Sequence, residues 1–152
     1  MRSDGLRRIL LATVSALALC GAGLGQGQLV FSSKDFGISE IDVTITFTPE
    51  SERTYRVEYS KLPAHPDLGM FYTYFYMCAA RQIALQRGFD RFGVLPVKDQ
   101  PNFGIGFFLG PGEDANQVLG PQFSNAAALS VTNPSVTQGC DAMASNRRSV
   151  AP

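Results

Sequence analysis

The sequence predicts an α+β domain: a small antiparallel sheet with one long helix packed across it, in the order ββαββ. Three observations carry this reading. Ile41, Val43, Ile45 and Phe47 alternate with Asp42, Thr44, Thr46 and Thr48, the period of two of a strand with one buried and one wet face. Asp67 offers a helix cap and Gly88 a helix stop, which frames a helix running to about Arg87. Two apolar runs, Gly93 to Val97 and Phe103 to Leu109, then follow as strands.

Pro49-Glu50-Ser51-Glu52 is polar and opens on a turn-favouring proline, so the chain should reverse there. Tyr55, Val57 and Tyr59 alternate with Arg56 and Glu58 as the return strand of a hairpin. The helix begins apolar or aromatic on every side, from Met70 to Met77, so a strand over 70–77 is the alternative by periodicity. Its second half sets Ala79, Ala80, Ile83 and Ala84 against Arg81, Gln82 and Gln86.

Beyond the helix, Gly88 should take a left-handed turn. Phe89 and Phe92 should pin the next strand to the core, and Asp90 should bond nearby backbone amides. Pro96 forces an edge position or an early strand end. Gly104 and Gly106 mark a bulge or a close backbone approach. After Gly110 the apolar pattern weakens, with Ala126 to Val131 as a candidate edge strand and residues 141–152 expected to be disordered. The domain is thus expected over 29–110, followed by a partly disordered Gly/Pro/Ser/Asn-rich tail over 111–152.

The first residues read as a secretory leader. Arg2, Arg7 and Arg8 form a positive region, and Ile9 to Leu19 is an uncharged apolar run, shorter than the ~20 residues that span a bilayer. Leu17-Ala18-Leu19-Cys20 resembles a bacterial lipobox, although the pattern wants Gly, Ala or Ser where Leu19 stands. Cys20 is therefore the lipidation candidate, with 1–19 removed. The other route is a cut after Ala22 or Gly25, with 1–25 as signal peptide and the protein released.

Without residues 1–19 the chain keeps ten basic and twelve acidic side chains, a formal charge of about −2, and shows no basic patch for nucleic acid. Cys78 and Cys140 remain in the mature fold. In an oxidising compartment they are disulfide candidates, and the alternative is two unrelated thiols.

The stretch from Tyr76 to Leu95, with its alanine-bearing helix ending in Gly88-Phe89-Asp90-Arg91-Phe92, resembles the central part of a family of small envelope lipoproteins of Gram-negative bacteria. The stretch that carries the resemblance is 20 of the chain's 152 residues. It implies a signal or lipid anchor and a small α+β domain, and it implies no activity.

No catalytic or metal pattern stands out. The single histidine, His65, lies between Pro63 and Pro66 in a stiff loop, and no Gly-x-Ser-x-Gly elbow occurs. Phe71, Tyr72, Tyr74, Phe75 and Tyr76 cannot all face one sheet. Either the N-terminal segment or the tail covers the far side, or an exposed aromatic patch binds a partner, a second copy, or a lipid or glycan. The expectation is a non-enzymatic, cofactor-free cell-envelope protein at the periplasm or on the periplasmic face of a membrane. It would be held by a lipid anchor and act as an interaction or structural module. The alternative is a soluble periplasmic module holding a small apolar ligand in a cavity lined by Phe71, Phe75 and Phe107. A hydrolase would need a nucleophile beside His65.

Overall fold

The computed structural model describes residues 27–149. Six strands form one antiparallel sheet: β1 (Leu29–Ser32), β2 (Thr44–Pro49), β3 (Thr54–Tyr59), β4 (Arg91–Pro96), β5 (Phe103–Leu109) and β6 (Leu129–Ser130). Their spatial order is β1-β2-β3-β5-β4-β6. The long helix α1 (Gly69–Arg87) crosses one face, and the short α2 (Ala115–Leu119) and the C-terminal α3 (Pro134–Ser149) follow. The protein is therefore α+β, with a larger sheet than the small one expected.

The predicted hairpin pairs Ile45 with Tyr59 and Phe47 with Val57. Its inward residues Ile45, Phe47, Tyr55 and Val57 are all buried, while Arg56 and Glu58 face water. Ile41 and Val43 are buried as expected but lie ahead of β2. There the 3-10 turn Ser33–Phe36 interrupts the ladder, and the buried Ser33 hydroxyl takes its place. It donates to the Ile41 carbonyl (2.8 Å) and accepts from the Val43 amide (3.2 Å).

α1 runs through residues 70–77, so the strand alternative does not form there. Asp67 does not cap it. Asp67 sits in a 3-10 turn, Pro66–Leu68, that feeds the helix directly. At the other end Gly88 stands at φ 76°, and its amide reaches the carbonyls of Ala84 and Leu85. Phe89 then stacks near Phe108 (5.6 Å between centroids), and Phe92 is fully buried. The expected Asp90 bonds to amides are not made. Its Oδ1 is buried with no hydrogen-bond partner among the described residues and lies 3.7 Å from Arg91 Nε.

The chain after Leu109 is structured further than its composition suggests. Phe107, Leu109 and Phe123 form a second cluster on the sheet face opposite α1, with Leu119, Ala126 and Ala128 packed against it. β6 pairs only with Arg91 and Phe92, so it is the expected edge strand, and Pro96 ends β4 beyond its reach. Val131 and Val136 belong to the main core, so the folded unit extends past the expected limit at residue 110. Residues 141–149 continue α3 rather than lacking regular structure. Asn133 starts that helix, its side chain accepting from the Ser135 amide at 3.0 Å, with Pro134 in the first turn.

Candidate functional site

The aromatic run at the start of α1 is core, not an exposed patch. Phe75 is fully buried 5.7 Å from Phe36, and Tyr76 is buried and stacks 5.9 Å from Phe47. Tyr72 is buried 5.3 Å from Tyr59, whose hydroxyl donates to the Tyr72 carbonyl (3.3 Å). Phe71 and Tyr74 are half-buried. Tyr74 packs where a side chain on Gly139 of α3 would stand, 2.9 Å from its Cε1. The five rings point around the helix as its period requires, and three layers meet them: the sheet, the 3-10 turn with Phe36, and α3. Of the two alternatives the covered one holds, with the Ser33–Phe36 turn and α3 both folding over the far side, and the exposed patch does not form.

Cys78 and Cys140 are joined by a disulfide that closes 62 residues of chain. Cys78 is buried on α1 and Cys140 is half-buried on α3, so the bond fixes the C-terminal helix over the aromatic run. Loop closure of that length is worth about 4 kcal/mol in the chain-entropy model. Cys20 and the expected leader lie outside the described residues.

The cavity expected from Phe71, Phe75 and Phe107 is also absent. Phe75 belongs to the α1 face of the sheet, and Phe107 belongs to the opposite cluster, 5.3 Å from Phe123. Alternation in β5 puts Phe103, Ile105 and Phe107 on one face and Gly104, Gly106 and Phe108 on the other. Beside Gly104 a groove of about 340 Å³ opens on the α1 side, lined by Val57, Tyr59, Tyr76, Val94, Pro96, Phe103 and Gly104. Its only signal in the sequence is the Gly-x-Gly spacing, which puts both glycines on one strand face. Tyr76 donates through its hydroxyl to the Gly93 carbonyl at 2.7 Å. Burial pushes the phenols of Tyr59 and Tyr76 well above their ordinary range, so both stay neutral.

On the far rim, Glu113 holds the loop after β5. Its carboxylate accepts a two-pronged bond from Arg53 and a 2.6 Å bond from the Gly110 amide, while Arg91 donates to the Gly110 and Glu113 carbonyls. The Gly110 amide, more than Arg53 and Arg91, holds the Glu113 carboxyl below its usual value. These groups are committed to one another, so the cluster reads as a clamp. His65 stands exposed ahead of the Pro66–Leu68 turn and caps nothing with its side chain. Among the described residues no three His, Cys, Asp or Glu side chains group to hold a metal ion, and no helix is long and apolar enough to cross a membrane.

Comparison of the chain with protein-family models, with curated proteins and with solved structures finds no match in any of the three.

Proposed function

We propose that this chain is an exported, non-enzymatic protein of a Gram-negative cell envelope, lipid-anchored through Cys20 and acting as an interaction or structural module. The observation that carries the reading is the Cys78–Cys140 disulfide, because such bonds persist in oxidising compartments and are rare where thiols are kept reduced. The positive, apolar leader and the lipobox-like Leu17-Ala18-Leu19-Cys20 point to the same compartment. So does the resemblance of residues 76–95 to small envelope lipoproteins. The side chains support a non-enzymatic reading, since the one histidine is exposed in a proline-bounded loop.

Mass spectrometry of the N-terminus, made separately on membrane and periplasmic fractions, tests this. The expected species is a lipid-modified Cys20 in the membrane fraction. An unmodified terminus after residue 22 or 25 in the periplasm would replace anchoring by release. A full-length, reduced chain in the cytoplasm would end the reading.

A further inference from the structure

The groove beside Gly104 lies where β5 supplies no side chain to the α1 face. Two of its three residues facing α1 are glycine, and the third, Phe108, is fully buried. Above Gly106 the space is taken: an added Cβ would lie 2.9 Å from Val57 Cγ2 and 3.2 Å from Tyr76 Oη. Directly above Gly104 an added Cβ would lie 2.8 Å from Val94 Cγ2, so the open volume lies beside Val94, between Val57 and Tyr59 of β3 on one side and Val94 and Pro96 of β4 on the other. Val94 lies on the same face as the buried Phe92 yet is 40% exposed, so an apolar wall meets solvent here.

The lining selects the chemistry of an occupant. None of the seven lining residues is charged, and the volume lies in the range of small-molecule sites, about 300–1,000 Å³. Its side-chain polar atoms are the hydroxyls of Tyr59 and Tyr76. Each has committed its proton to a backbone carbonyl, of Tyr72 and Gly93 respectively. A phenol whose proton is committed can meet an incoming group only as an acceptor. An anion would therefore be desolvated with no donor to receive it, and a purely apolar molecule would leave the hydroxyl lone pairs facing hydrocarbon.

We propose that this groove binds a small uncharged molecule with an apolar body and one hydrogen-bond donor, of the class of simple phenols and alcohols. The inference does not depend on how, or whether, the chain is anchored.

The test is an amide-shift titration of the oxidised, isotope-labelled protein with naphthol, naphthalene and naphthoate. Naphthol is expected to give saturable shifts centred on Val57, Val94 and Gly104. Naphthalene, lacking the donor, should bind about five-fold more weakly, and naphthoate should bind more weakly still. Val94→Asp should abolish the naphthol shifts while leaving the melting temperature close to that of the parent, since the position is already partly wet. Gly104→Ala, whose methyl would press on Val94 Cγ2 at 2.8 Å and shift that wall of the groove, is the second variant and should weaken naphthol in the same way. Shifts that scatter over the surface, or none up to the solubility limit of naphthol, would overturn the site. Naphthalene binding as tightly as naphthol would overturn the donor requirement, and unchanged naphthol binding in both variants would overturn the location.

Discussion

The hydroxyl of Tyr76 donates a 2.7 Å hydrogen bond to the carbonyl of Gly93, tying helix α1 to strand β4 inside the core. Gly93 can sit there only without a side chain, because an added Cβ would overlap the Ala127 carbonyl and the Phe107 ring on the other face. The pair thus joins the two clusters through one residue of β4. Tyr76→Phe keeps the ring against Phe47 and removes only the bond, so it should cost about 1–2 kcal/mol as a buried carbonyl loses its partner. Tyr74→Phe, at a half-buried site, should stay within about 0.5 kcal/mol. Urea unfolding of the two variants checks this, and equal effects would remove the special standing of Tyr76.

Gly88 ends α1 at a φ of 76°, where a side chain strains the backbone although its Cβ would meet open space. Gly88→Ala should therefore destabilise by about 1 kcal/mol and Gly88→Val by more, with Gly88→Asn the mildest. A valine variant with the parent's melting temperature would contradict the cap.

The Cys78–Cys140 bond should give, on digestion without reduction, a single cross-linked species containing both residues. Replacing both by alanine should lower stability by about 3–5 kcal/mol in the chain-entropy account. The loss should be concentrated in α3, where the amides of 135–149 should exchange faster than those of α1. Uniform loss of protection would show that α3 is not a separable unit.

Glu113 makes stability depend on acid. Its folded-state pKa lies below the unfolded value, so its contribution is complete above the ordinary carboxylate range and is lost as pH falls through the depressed folded value. Glu113→Gln removes that dependence. The gap in urea midpoint between parent and Glu113→Gln should be widest at neutral pH and narrow as pH falls below about 4. A gap that stays constant with pH would mean that the carboxylate charge is not what holds the 110–113 loop.

Much of the fold was legible because its determinants are local. The alternation of Ile45 and Phe47 with threonines sets a strand face whatever its partners, and Gly88 announces its left-handed turn by being glycine. Pro96 likewise ended β4 where a missing amide must end it. β1 went unread because Leu29-Val30-Phe31-Ser32 is four residues long and becomes a strand only by pairing with β2. α3 went unread because Ser, Asn, Thr and Gly make a weak helix. Asn133 and Pro134 start it, and Val136 and the disulfide hold it against the core.

The hairpin, the long helix with its glycine stop, the edge strand and the two cysteines left to pair are written in local residue patterns. Tertiary packing puts Tyr72, Phe75 and Tyr76 of α1 in the core and leaves Phe71 and Tyr74 half-buried, because burial depends on what covers each ring. Phe36 lies some forty residues before them, by order of magnitude, and Gly139 some sixty after. Periodicity reports which side of an element is apolar, since neighbouring residues carry that information. Which distant segment comes to bury that side is settled by long-range packing, and so is the groove left beside Gly104.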